Sequence, residues 1–274
     1  MIRLIVSDMD DTLLTPKGDV SPRTLAALQA AIEAGALVTF ASGRMVESAT
    51  GWAHQLGVNA PLILYNGGLV YDLETKKTIS RIELSEDTAR AVLKFGEEMG
   101  VYMQAYPGEN YYCVETNRFT ENYANRVRVQ ACEIPKGVKL SEWIDSGQMK
   151  LLVIGDAEDM PPVLDAFRKK FPDSGVEFFM SRPMYLEAVS ESVNKGSALR
   201  SLAESLDIAP DEILAFGDGE NDITMLEYAG HSYAVANARE DVIEKAKFTA
   251  PSNAEDGVAQ VIEKYLAEGK IGRG

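Results

Sequence analysis

Two pairs of carboxylates stand where apolar runs end. Asp8 and Asp10 lie in Asp8-Met9-Asp10-Asp11-Thr12, and Asp218 and Asp222 lie in Gly217-Asp218-Gly219-Glu220-Asn221-Asp222. Between them come Ser42-Gly43-Arg44 and Asn194-Lys195-Gly196. Carboxylates gathered in one place need a cation, since like charges a few ångströms apart cannot all ionise uncompensated. A lysine among them needs an anion. Hard oxygen ligands suit Mg2+, and a metal plus a lysine can turn an acidic cleft into a seat for phosphate. The set therefore describes a Mg2+-dependent phosphoryl-transfer site.

Roles follow from position. Asp8, nearest the rigid end of an expected strand, is the better nucleophile and can form an aspartyl-phosphate. Asp10, two residues on, points the same way in an extended chain and is the better acid/base. Ser42 and Gly43 end a second strand, where a hydroxyl and free N–H groups form an anion cradle; Arg44 could reach the substrate. Lys195 starts a helix, where a cation opposes the macrodipole unless it serves an anion. Asp218 is expected to bind the metal directly, Asn221 and Asp222 directly or through water. Glu220 faces solvent. Each segment has a plainer reading: a polar turn at 8–12, a helix N-cap at Ser42 or Asp222, surface cations at Arg44 and Lys195. Four segments in one order favour the chemistry.

The elements that must position these groups are legible as strands alternating with helices. Residues 2–6, 36–41 and 61–65 read as buried strands. Ser21 caps a helix with Pro22 in its first turn and Leu25, Leu28 and Ile32 on one face, and Gly35 ends it. Another helix runs to Leu56 and Gly57. Such alternation implies a parallel sheet covered on both sides. From residue 69 hairpins appear: 69–72 with 78–83, 101–106 with 111–115 around residues 107–110, and 176–180 with 185–189. Helices are expected at 85–100, 117–128 and 160–171, and a strand at 150–154. The alternating rhythm returns at Lys195, with a helix at 198–206, a strand at 213–216, a helix at 223–228, a strand at 233–236 and helices at 239–245 and 257–266. The tail from Gly269 is expected to fray. The stretch from Ser42 to Lys195 exceeds what two βα units need by roughly a hundred residues, the size of a small inserted domain. The division expected is a core of 1–81 and 190–274 and an insert of 82–189.

Composition narrows the partners. The chain has 274 residues, 46% apolar and 25% charged, with a net charge of −15. That balance argues against nucleic acid or an anionic membrane, both of which reward clustered basic groups. Cys113 and Cys132 show no metal or disulfide spacing, which fits a reducing cytoplasm. With His54 and His231 the only histidines, a histidine-based metal site is not expected. No apolar run approaches a membrane span. Neither a P-loop nor a full dinucleotide fingerprint occurs.

The segments Asp8-Met9-Asp10-Asp11-Thr12, Ser42, Lys195 and 217–222 resemble the four motifs of the haloacid dehalogenase superfamily. The long insert resembles the type IIB cap of the Cof-like phosphatases. The resemblance covers nearly the whole chain. It implies an α/β fold, a Rossmann-like parallel-sheet core with an inserted α+β (type IIB) cap domain that sets substrate specificity. It also implies that Asp8 is the nucleophile and Asp10 the acid/base, that Asp8, the Asp10 carbonyl and Asp218 hold Mg2+, and that Ser42 and Lys195 bind phosphate. Ser42 stands where many relatives carry Thr, and Ser192 where Gly is commoner. Asn66, in Asn66-Gly67-Gly68, fits a substrate-side loop. Cap residues that could read the substrate are Tyr112, Arg118, Arg182, Tyr185 and Glu187, while Trp52 and Trp143 read as packing residues. The activity implied is hydrolysis of small phosphomonoesters, sugar phosphates first, by a monomer or weak homo-oligomer. Phosphomutase or phosphotransferase action on sugar phosphates, and non-catalytic sensing of a phosphorylated metabolite, are the alternatives.

Overall fold

The computed structural model describes residues 1–108 and 110–272. Glu109, in the turn expected at 107–110, and Arg273 and Gly274 of the tail lie outside the described residues. The chain divides into two compact units. The first comprises Met1–Gly43, Ala49–Arg81 and Asn194–Gly274, the second Arg44–Ser48 and Ile82–Val193.

The first unit is built on a parallel sheet in the order Phe248–Ala250, His231–Val235, Ile213–Gly217, Leu4–Ser7, Leu37–Phe40. A parallel bridge from Ala41 to Ile63 carries the sheet on to an antiparallel group, Leu62–Leu64, Leu69–Asp72 and Lys77–Arg81. Leu4–Ser7 is buried at every position because it has a strand on each side and is covered above and below. Such strands read as unbroken apolar runs rather than alternations. The chain leaves Leu4–Ser7 toward Leu37–Phe40 on one side, and Ile213–Gly217 returns on the other. The crevice at the carboxyl ends of these two central strands is thus a topological switch point, where open α/β sheets bind ligands. The parallel core and inserted α+β architecture expected above are both present.

Local chemistry sets the helix ends. The Ser21 hydroxyl accepts the Thr24 N–H at 3.0 Å, with Pro22 opening the helix Pro22–Glu33. Its buried face is Thr24, Ala27, Leu28 and Ala31, one position round from the expected stripe; Leu25 and Ile32 are only half-buried. Small residues let this helix sit close to its neighbours. The tail does not fray through Gly272. The Ile2 N–H donates to the Lys270 carbonyl at 2.7 Å, the Gly272 N–H donates to Ile2 at 3.1 Å, and Ile271 is buried. One apolar residue with backbone partners outweighs the disorder that terminal position suggests.

The second unit has its own sheet, in the order Val176–Arg182, Tyr185–Ser190, Lys150–Ile154, Tyr102–Tyr106, Tyr112–Cys113, Cys132–Glu133. Pairing is antiparallel except at the last step. The helices Glu86–Met99 and Met160–Lys170 contribute Val92, Leu93 and Phe167 to a core with Leu151, Val153 and Leu186 of the sheet. The strand expected at 111–115 is shorter, and Cys132–Glu133 and the helix Leu140–Trp143 had no sequence signal strong enough to mark them. Elements this short carry too few residues to show a period.

Candidate active site

Register explains how distant carboxylates meet. Ser7 pairs with Phe216 across the two central strands, and the Asp8 N–H donates to the Phe216 carbonyl at 2.9 Å. Asp8 therefore leaves the sheet beside Gly217, one residue before Asp218. Oxygens of Asp8, Asp218 and Asp222 all lie within 4.8 Å of one another. Asp10 is not part of that trio. It sits in the tight turn Met9–Leu13, at φ −72° and ψ 124°, just before Asp11 enters the left-handed region at φ 66°. The Leu14 N–H closes the turn on the Met9 carbonyl at 2.9 Å.

Lys195 is fully buried at the start of the helix Lys195–Ser205. Its ammonium donates to Asp8 Oδ1 and, at 2.5 Å, to Asp222 Oδ1. A cation at a helix N-terminus is unfavourable on dipole grounds, and two carboxylates more than offset this. The second oxygen of Asp222 accepts the N–H groups of Asp218 and Gly219 at 3.0 and 2.9 Å. Asp222 thus ties the lysine to the loop that carries Asp218. Gly217 is required for this fold of the loop: a Cβ there would lie 2.5 Å from the Asp222 Cβ.

The electrostatics are those of a site short of positive charge. Burial pushes the Asp8 carboxyl well above the ordinary carboxylate range; Lys195 pulls it back, while the charges of Asp222 and Asp218 push it further up. Burial also lifts Asp218 to about 6, with the Thr12 hydrogen bond opposing and the Asp222 charge adding. For Lys195, burial alone would lower the pKa, but Asp222 and Asp8 outweigh it and hold the group as an ammonium ion. Hard carboxylate oxygens, clustered and held off their preferred ionised state, fit a divalent cation.

The structure brings Ser42, Gly43, Asn66 and Asn221 together at the same sheet edge. Ser42 is buried; its N–H donates to the Ile63 carbonyl at 2.8 Å and its carbonyl accepts the Asn66 N–H at 3.0 Å. The Asn221 amide donates to Asn66 Oδ1 at 3.0 Å. Arg44 belongs to the second unit, where its guanidinium reaches the Ser48 hydroxyl at 3.4 Å. Glu220 is exposed and pairs with Arg239 at 3.0 Å.

Sequence reasoning left three supporting residues without a role. The Thr12 hydroxyl donates to Asp218 Oδ1 at 2.5 Å. Asn237 donates to the Asp11 carbonyl at 2.8 Å, and its own Oδ1 accepts the Asn253 N–H at 2.9 Å. Asn253 donates to the Leu14 carbonyl at 2.8 Å. Thr12 follows the first acidic cluster directly, which was its only signal; the two asparagines lie far away in unremarkable loops.

The cap candidates sit mainly in the second unit's own packing. Glu187 and Lys150 form a buried pair at 3.1 Å. Tyr185 packs edge-on to Tyr123, with ring centres 5.6 Å apart, and Tyr112 packs on Trp143 at 4.5 Å. Arg118 is exposed and pairs with Asp156 at 2.5 Å. Arg182 ends the strand Val176–Arg182 and is half-buried. Trp52 is buried, as its packing role requires.

A Rossmann-like sheet with a carboxylate trio and a buried lysine at its switch point defines a phosphatase-type enzyme. Residues 5–262 match the profile of the haloacid dehalogenase-like hydrolases, and the chain belongs to that family. It is 32% identical over 241 residues to the HMP-PP phosphatase of Serratia proteamaculans (strain 568), covering 87% of this chain and 85% of that protein. It is 26% identical over 287 residues to YwtE of Bacillus subtilis (strain 168), a 5-amino-6-(5-phospho-D-ribitylamino)uracil phosphatase, spanning 97% of this chain and 99% of that one. The crystal structure of TM0651 from Thermotoga maritima superposes with a TM-score of 0.86 at 33% identity, over 96% of this chain and 97% of that one. Among the described residues no helix is long and apolar enough to cross a membrane.

Proposed function

We propose that this enzyme hydrolyses small phosphomonoesters, sugar phosphates first among them, with Mg2+ and through an aspartyl-phosphate on Asp8. The observation that carries the reading is the Asp8–Asp218–Asp222 trio closed by the Lys195 ammonium. Asp8, Asp218 and the Asp10 carbonyl are the groups assigned to the metal. Asp222, whose oxygens are engaged by Lys195 and two backbone N–H groups, serves it at one remove. When bound, the ion would supply Lewis-acid stabilisation of charge on the phosphoryl oxygens.

The chain's own residues do the rest. Ser42, the Gly43 N–H, Lys195 and Asn221 hold the phosphate. The Asp8 carboxylate attacks phosphorus, forming one P–O bond as the ester P–O bond breaks, and the Asp10 carboxyl gives its proton to the departing alkoxide. Asp10 then takes a proton from water, which attacks phosphorus and releases Asp8 as a carboxylate and inorganic phosphate. The second unit is assigned the selection of the leaving alcohol. Relatives named as phosphatases of HMP-PP and of 5-amino-6-(5-phospho-D-ribitylamino)uracil support a small phosphorylated metabolite without singling one out.

The test is phosphate release from p-nitrophenyl phosphate and from panels of sugar phosphates, nucleotides and cofactor phosphates, with Mg2+ and with chelator, and with candidate acceptor sugars present. Metal-dependent release that vanishes in Asp8→Asn is expected. Transfer to an acceptor without free phosphate, or wild type and Asp8→Asn equally inactive on every substrate, would overturn the reading.

A further inference from the structure

Three consecutive residues after the strand Leu62–Leu64 take the left-handed backbone region: Tyr65 at φ 51°, Asn66 at φ 57° and Gly67 at φ 104°. Glycine enters this region freely and asparagine tolerates it, but a bulky tyrosine there is a genuine outlier. Tyr65 is also almost wholly buried. Strain of this kind persists only where the surroundings over-determine it, and it gathers at functional sites. The surroundings of this turn are the other segments of the active site.

Each residue of the turn meets a different segment. The Asn66 N–H donates to the Ser42 carbonyl at 3.0 Å, and a Cβ on Gly43 would come within 3.1 Å of the Asn66 side-chain oxygen. That same oxygen accepts the Asn221 amide at 3.0 Å. Gly67 lies so close to the Asn194 carbonyl that any Cβ would collide with it. Asn194 is the cap of the lysine helix, accepting the Ser197 N–H at 2.7 Å, and the next residue is Lys195. One strained turn is therefore in direct contact with the Ser42 loop, the start of the Lys195 helix and the loop holding Asp218 and Asp222.

We propose that Tyr65-Asn66-Gly67 is a positioning element that sets these three segments against one another, and that Asn66 acts through Asn221 and Ser42 rather than by touching substrate. The assignment of those segments to phosphate rests on the phosphatase reading above; the positioning itself does not. A direct contact from Asn66 to substrate would add its own share of binding. A positioning role predicts that the Asn66 effect disappears once Asn221 is gone.

Asn66→Gly removes the amide yet keeps a residue that enters the left-handed region without cost. Asn221→Ala and the double variant complete a cycle. With p-nitrophenyl phosphate and Mg2+, Asn66→Gly should lower kcat/KM by about tenfold or more, and the double variant should match Asn221→Ala to within about threefold. Losses that multiply would overturn the proposal in favour of a substrate contact. Hydrogen exchange gives a readout independent of turnover. In Asn66→Gly, exchange should quicken in segments 40–43, 194–198 and 217–222 while the rest of the first unit keeps its protection. Unchanged exchange in those segments, or a uniform rise across the unit, would overturn it. If the wild type releases phosphate from no substrate, the phosphatase reading fails while the exchange result still decides the turn. Gly67→Ala supplies a second variant, expected to quicken exchange at 194–198 most.

Discussion

Both units bury a lysine against carboxylate, and they do so for opposite ends. In the second unit Lys150 meets the single carboxylate of Glu187 at 3.1 Å, with its ammonium 5.0 Å from the centre of the Tyr106 ring. Burial acts to lower the lysine's pKa, but Glu187 and Tyr123 raise it overall. Charges there balance one to one, and aromatic rings close around them. In the first unit Lys195 serves Asp8 and Asp222 at once, and Asp218 stands beside them with no ion pair among the described residues. The balanced pair has no call for a ligand. The unbalanced cluster holds Asp8 and Asp218 above their ordinary pKa and so fits a divalent cation. Stoichiometry of charge, rather than burial as such, separates a structural pair from a reactive one.

The contrast can be broken most sharply at Asp8. Asp8→Asn should cut phosphate release by about 10^4-fold or more, because it removes the carboxylate proposed above as the nucleophile. In metal-free buffer at neutral pH the same variant should melt higher than wild type, since it removes a carboxylate that is ionised only at a cost. A lower melting temperature would show that the cluster is not short of charge. The balanced pair should behave in reverse. Lys150→Met leaves Glu187 buried alone and should cost about 3–5 kcal/mol in urea unfolding, while Lys150→Met with Glu187→Leu recovers most of that.

A pH series sharpens the comparison at smaller scale. Asp218, lifted to about 6 from an ordinary 3.8, holds a proton in the folded chain between those values that the unfolded chain has released. This group therefore stabilises the metal-free protein as pH falls through 6, an advantage lost as pH rises past it. A cation must displace the same proton, so the rise in melting temperature caused by Mg2+ should shrink on going from pH 7.5 to 5.5. Constancy across that range would count against Asp218 as a ligand. The smallest effect expected is at Thr12. Thr12→Val frees Asp218 Oδ1 from its hydroxyl and should weaken Mg2+ binding by up to about tenfold in calorimetry, while Thr12→Ser restores it.

Much of this was legible in the chain itself. The runs at 2–6 and 213–216 announced buried strands because each has neighbours on both sides and needs apolar residues throughout. Ser21-Pro22 announced a helix start because orphan N–H groups need oxygen acceptors, and Thr24 donates there. The helices expected at 85–100 and 117–128 prove to be capped in the same way, by Ser85 and Asn117, which accept the Thr88 and Phe119 N–H groups. Other features were not readable. The helix Pro22–Glu33 turned Ala27 and Ala31 inward because close packing, which pattern alone does not reveal, favours small residues. Asn237 and Asn253 hold the turn after Asp8 from more than two hundred residues away, and nothing near them marks the partner.

Residue type and order alone determined the kind of chemistry available: carboxylates at strand ends, a hydroxyl, one lysine, and the need for a cation that their charges create. Only the folded chain decided that Lys195 bonds both Asp8 and Asp222, that Asp10 stands apart from the close trio, and that a strained turn at 65–67 touches three segments at once. Charge is a property each residue carries wherever it lies, whereas distance and burial arise from register across a sheet, which no local stretch of sequence contains.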